Sequence, residues 1–195
     1  MARTAEVTRK TGETDIEVNL DLDGTGTYSI DTGVGFFDHM LSALSRHSLI
    51  DMDIKVKGDT WVDDHHTVED TGIVVGQALG QALGDKAGIR RFGSIAIPLD
   101  EALTLASVDI SGRGELYWDV PIGPDKVGTF DTELAQEFFI GFARQAGITL
   151  HLKELSGTNA HHIIEATFKA CARALRQAVE PDPRVKGVPS TKGEL

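Results

Sequence analysis

The sequence predicts an α+β protein built as two similar halves, each a four-stranded sheet covered on one face by two helices. Two observations lead there. A long internal repeat runs through the chain, and strand-like and helix-like segments follow the same order in both copies.

The repeat is clearest at two adjacent histidine pairs. HHTVEDTGIVVGQALGQAL, from His65, and HHIIEATFKACARALRQAV, from His161, stand 96 residues apart and share eight of nineteen positions, where chance gives about one. DLDGTG, from Asp21, matches DISGRG, from Asp109, at an offset of 88, and HMLSALSRHSLIDMDIKVK, from His39, parallels EFFIGFARQAGITLHLKEL, from Glu137, at 98. Loop insertions produce such shifts of offset.

In chain order, alternating residues predict strands over 5–10, 15–23 and 26–31, the second running through DLDGTG into a glycine turn. Apolar residues at helical spacing predict a helix over 34–47, followed by a strand over 51–57 and a longer helix over 66–83 that opens with the histidine pair. The second half repeats the series: strands over 94–98, 104–111, 114–120 and 148–155, and helices over 131–146 and 161–179. The halves divide at 1–90 and 91–182. The remaining segment, 183–195, is rich in proline, lacks periodicity and by itself reads as a frayed terminus.

Composition narrows the function. The 195 residues are 41% hydrophobic and 25% charged, as in an ordinary globular domain. No apolar run approaches the roughly 18 residues of a membrane span, so no membrane partner is expected. The opening residues carry no apolar stretch ahead of a small-residue cleavage site, which predicts a cytoplasmic protein. A formal charge of −11 argues against nucleic acid as a partner. Cys171 is the single cysteine, so no intrachain disulfide forms, and its helical surroundings read as a buried position.

The two HHxxE segments carry the chemistry. Successive helical residues turn by about 100°, so His161 and His162 diverge while Glu165 projects between them, and His65, His66 and Glu69 repeat the pattern. One helix thus offers ligands in two directions, and two such helices facing each other can hold two metal ions. Imidazole with carboxylate suits Mn, Fe or Zn better than Ca or Mg. A lone histidine more often lines a core, but a duplicated HHxxE reverses those odds. His39, in FFDHM, is a further ligand candidate, and its repeat counterpart is Glu137. His47 and His151 have no duplicated partner and read as structural. Lys169 lies one turn beyond Glu165, about 6 Å along the helix, where it fits a charged group at the far end of a small substrate. Arg91 in GIRRFG, Arg113 in SGRG, and Ser190 with Lys192 in PSTKG are candidates for holding phosphate oxygens.

Together FFDHM, DDHHTVED, SGTNAHHIIEATFKACARALRQA and GVPSTKG resemble the signature segments of imidazoleglycerol-phosphate dehydratase, from TGETDI to the tail and without a phosphatase domain. The resemblance implies dehydration of D-erythro-imidazoleglycerol phosphate to imidazole acetol phosphate in histidine biosynthesis. It implies two Mn2+ per active site and a homo-oligomer of twenty-four subunits with sites at subunit boundaries. Carried over by position, the metal ligands are His39, His65, His66, Glu69, His161, His162 and Glu165. Glu137 stands where the family often has histidine. Arg91, Arg113, Lys169, Ser190 and Lys192 fall at phosphate-holding positions, which brings the tail, 183–195, into the site. Glu13, in TGETDI, matches a candidate acid or base beside the carboxylates Glu69 and Glu165. Two other readings of the residues are a dinuclear hydrolase of a small phosphate ester or amide, and a metal store.

Overall fold

The computed structural model describes residues 2–195. The first half runs β1 (Thr4–Lys10), β2 (Thr14–Asp21), β3 (Tyr28–Asp31), α1 (Gly35–Ser48), β4 (Asp51–Gly58) and α2 (His65–Leu83). The second runs β5 (Phe92–Leu99), β6 (Ala102–Asp109), β7 (Glu115–Asp119), β8 (Lys126–Val127), β9 (Phe130–Asp131), α3 (Leu134–Ala146), β10 (Thr149–Ser156) and α4 (Ala160–Val179). The α+β class and the four-stranded sheet of each half match expectation. One boundary moves further than the rest: the helix expected from 131 begins at Leu134, because Lys126 pairs with Asp131 in a short antiparallel hairpin.

The two main sheets have orders β1-β2-β4-β3 and β5-β6-β10-β7. Each is mixed, since β3 pairs parallel to β4 and β7 parallel to β10, while the other pairs are antiparallel. Parallel neighbours need a crossover, and α1 and α3 supply it. Along β2, Ile16, Val18 and Leu20 are buried, while intervening positions such as Asp15 face out, the period expected when one face meets helices.

Helices α1 and α2 cover the first sheet, and α3 and α4 cover the second. The helices then pack across the halves, α2 along α3 and α1 along α4, so four helices lie between two sheets and one apolar core serves both halves. This corrects the picture of the two HHxxE helices facing each other: within one chain each lies against the shorter helix of the opposite half. The close fit of α2 to α3 explains part of that choice. A Cβ on Gly72 would stand 2.4 Å from the Phe138 carbonyl oxygen, and one on Gly76 would stand 2.5 Å from that of Phe142. The two helices therefore run parallel and in step, backbone against backbone. No helix among the described residues is long and apolar enough to cross a membrane.

Candidate active site

The start of α4 is fixed by Asn159, whose side-chain oxygen accepts the backbone N–H groups of His161 at 2.9 Å and His162 at 3.3 Å. From there His161 reaches Glu165, with Nε2 3.0 Å from Oε2. His39, on the neighbouring α1, brings its Nε2 to 3.3 Å from the same oxygen. The ligand atoms of His39, His161 and Glu165 all lie within 4.8 Å of one another. Burial opposes ionisation of Glu165, but the Lys169 hydrogen bond and charge, with help from His161, hold its carboxyl at about 2. Two imidazole nitrogens and a carboxylate oxygen converging on one point form a donor set that fits Mn, Fe or Zn. Lys169 Nζ is 2.7 Å from Glu165 Oε1, so here it balances the glutamate rather than joining the other basic residues.

Helix α2 repeats part of this arrangement. Asp63 accepts the His65 backbone N–H at 2.8 Å, and His65 Nε2 lies 3.5 Å from Glu69 Oε2. Glu137 occupies the first turn of α3, but among the described residues it does not close with His65 and Glu69 into a cluster like that of His39, His161 and Glu165.

The second histidine of each pair points elsewhere. His66 Nδ1 is 3.1 Å from Asp59, and its Nε2 is 3.7 Å from Glu13. His162 Nδ1 is 2.7 Å from Glu101, and its Nε2 is 3.7 Å from Asp100. The Asp59 hydrogen bond raises the pKa of His66, and the Glu101 hydrogen bond raises that of His162. Glu101 in turn is lowered to about 2, by His162 first and then by the Asn159 backbone. Sequence reasoning missed Asp59, Asp100 and Glu101. The signal for Glu101 was present, since the offset of 88 that pairs Asp21 with Asp109 also pairs Glu13 with Glu101. His47 lies outside these clusters, its pKa lowered by burial and then by Lys169, and His151 stacks on Tyr117 at 4.3 Å.

Four of the five predicted phosphate residues share one cavity of about 580 Å3, lined by Arg91, Arg113, Ser190 and Lys192 among others. Arg91 organises it from a left-handed backbone position, φ 71°. Its Nε donates to Asp109 Oδ1 at 2.7 Å, and its Nη1 donates to the Pro189 carbonyl at 2.8 Å, tying the tail to the sheet. The guanidinium has five N–H groups, and three are engaged in bonds to Asp109 and Pro189, which leaves two for an anion. The tail, unreadable from periodicity, is thus a wall of this cavity.

A sequence model of imidazoleglycerol-phosphate dehydratase matches residues 32–175. The chain belongs to the imidazoleglycerol-phosphate dehydratase family. Membership makes it an enzyme of the hydro-lyase class. Among members it is 62% identical to the dehydratase of Paracoccus denitrificans over 99% of this chain and 100% of that one. It is 60% identical, with the same coverage, to the dehydratase of Jannaschia sp.. Two solved dehydratase structures share the fold. The one from Staphylococcus aureus superposes with TM-score 0.84 at 40% identity, covering 92% of this chain and 99% of that one. The one from Pyrococcus furiosus gives 0.84 at 41%, covering 97% and 100%.

Proposed function

We propose that this chain dehydrates D-erythro-imidazoleglycerol phosphate to imidazole acetol phosphate with two Mn2+ per active site. The single observation that carries the metal reading is the convergence of His39, His161 and Glu165 ligand atoms within 4.8 Å. In the first half His65 and Glu69 pair in the same way, with Glu137, His66 and His162 as the remaining ligands. Within one chain α2 and α4 do not face each other, which supports ligands that diverge from one helix serving two different centres at the subunit boundaries of a homo-oligomer; its count of twenty-four subunits rests on the family resemblance.

Bound metal supplies Lewis acidity to the imidazole nitrogens and lowers the cost of removing a proton from a carbon that has no adjacent carbonyl. The chain's own residues do the rest. Arg91, Arg113, Ser190 and Lys192 hold the phosphate, and Lys169 keeps Glu165 anionic. Glu13, exposed and 3.7 Å from His66 Nε2, moves the proton at the reacting carbon. The enzyme works in the cytoplasm on this small phosphorylated imidazole.

The test is turnover by metal-stripped protein reloaded with Mn2+, following ketone and inorganic phosphate together. Ketone that returns with Mn2+, without free phosphate, is the expected result. Release of phosphate would replace dehydration with hydrolysis of the ester, and no product from a fully loaded protein would leave only metal storage.

A further inference from the structure

Each HHxxE helix places its second histidine between two carboxylates, one at each ring nitrogen. At Nδ1 the partners are Glu101 for His162, at 2.7 Å, and Asp59 for His66, at 3.1 Å. A carboxylate only accepts hydrogen bonds, so the proton between the groups sits on Nδ1, and a neutral ring then carries its lone pair on Nε2. We infer that Glu101 and Asp59 are positioning residues that set the tautomer and orientation of His162 and His66, presenting Nε2 to a divalent metal ion. This rests on the proposed metal-dependent function.

The two carboxylates are held differently. Glu101 Oε1 accepts the backbone N–H groups of Asn159 at 2.8 Å and Thr158 at 3.2 Å, and the Thr158 hydroxyl at 3.3 Å. One oxygen therefore belongs to the segment that enters α4, and the other belongs to the imidazole. Asp59, 6% exposed, turns both oxygens toward His66 Nδ1, at 3.1 and 3.3 Å. The two halves also recruit these groups from different places. Glu101 is the repeat partner of Glu13, yet Glu13 faces the other nitrogen of its histidine. Duplication kept a carboxylate on each side of the ring, but the second half takes both from the turn between β5 and β6, whereas the first takes one from the turn between β1 and β2 and the other from the loop that leads into α2.

The asymmetry gives a discriminating experiment. In Glu101→Gln the carbonyl oxygen stays with the N–H groups of Thr158 and Asn159, which forces the amide NH2 toward His162 Nδ1. That nitrogen must then accept, so the ring proton moves to Nε2 and the lone pair facing the metal is lost. Glu101→Ala removes the bias without reversing it. Asp59→Asn can turn its carbonyl to Nδ1 and keep the tautomer.

The full chain, stripped and titrated with Mn2+ while free ion is followed by electron paramagnetic resonance, should rank the variants. Glu101→Gln should bind weakest, about 10–100-fold below wild type. Glu101→Ala should fall between, and Asp59→Asn should lie near wild type. Nitrogen-15 histidine spectra of the metal-free proteins should show a new Nε2–H ring in Glu101→Gln alone. Thermal unfolding separates these effects from misfolding; if Glu101→Gln does not fold, weaker binding by Glu101→Ala than by Asp59→Asn remains the required order. Glu101→Gln binding as well as Glu101→Ala, or equal binding by all variants, overturns the inference. A wild type that binds no Mn2+ overturns the metal reading beneath it.

Discussion

Gly72→Ala probes the closest backbone contact between α2 and α3. The added Cβ would stand 2.4 Å from the Phe138 carbonyl oxygen, whereas ordinary contact begins at 3.4 Å, so the helices must part by about 1 Å. Alanine gains about 0.8–1 kcal/mol over glycine in a free helix interior. Overpacking costs about 1–3 kcal/mol, and a carbonyl fixed in a helix cannot swing aside as a side chain does, which puts this cost in the upper half of that range. The net loss is then about 1–2 kcal/mol, or a melting temperature lower by about 2–8 °C for a domain of this size. Gly80→Ala is the internal control, because its Cβ would meet the Gln145 carbonyl oxygen at 3.3 Å and nothing closer. Its melting temperature should equal or exceed wild type. Scanning calorimetry at matched protein concentration makes the comparison, since association shifts melting temperatures. Gly72→Ala melting as high as Gly80→Ala would refute the argument from close approach.

His161→Ala removes one of three clustered candidate ligands and, on the proposed function, should weaken Mn2+ binding at least about tenfold in the same free-ion titration. On the proposed function, Lys192→Met deletes a charge-assisted contact to phosphate worth about 1.5–3 kcal/mol, so steady-state kinetics should show KM raised about 10–100-fold with kcat changed less. Cys171 is fully buried and burial pushes its thiol pKa up, so a thiol reagent at neutral pH should label it only after denaturant is added. The hydrogen bond from Arg3 holds the Asp23 carboxyl below its usual value. A depressed carboxyl contributes stability above its unfolded pKa and loses it as pH falls through the folded one. Asp23→Asn should therefore cost under about 1 kcal/mol at pH 7, given its exposure, and the difference from wild type in urea titrations should shrink as pH drops below about 3.9.

Most of the fold was legible because local periodicity decides it. Ile16, Val18 and Leu20 alternate with outward-facing neighbours such as Asp15, and the apolar faces of α1 and α3 repeat at helical spacing. The hairpin around Lys126 and Asp131 left no periodic trace, having two residues per strand. The crossed packing of the helices was hidden for another reason. A repeat shows that two halves are alike but not how they dock, and the decisive contacts are made by Gly72 and Gly76, which have no side chain to mark a face. At the candidate site, residues within a motif were readable, and His39, His161 and Glu165 do converge. Arg91, Arg113, Ser190 and Lys192 could be named from their types, but the cavity that gathers them depends on Arg91 reaching the Pro189 carbonyl across 98 positions of sequence. Asp59, Asp100 and Glu101 escaped because ordinary acidic residues in loops gain meaning only from the imidazole beside them.

The clearance between α2 and α3 is not uniform. An added Cβ would find least room at Gly72 and Gly76, 2.4 and 2.5 Å from the facing carbonyl oxygens, and more at Gly80, 3.3 Å from its nearest neighbour. The closest approach thus falls in the middle of α2, and toward its histidine end it widens again, since a Cβ on Gly141 would stand 3.0 Å from the Glu69 carbonyl oxygen. Thermal bending of two rods joined in this way pivots about the closest contact, so displacement grows with distance from it. His65 and Leu83 lie equally far along α2 from the point midway between Gly72 and Gly76, so such bending displaces both ends alike, while Glu69, closer in, is displaced less.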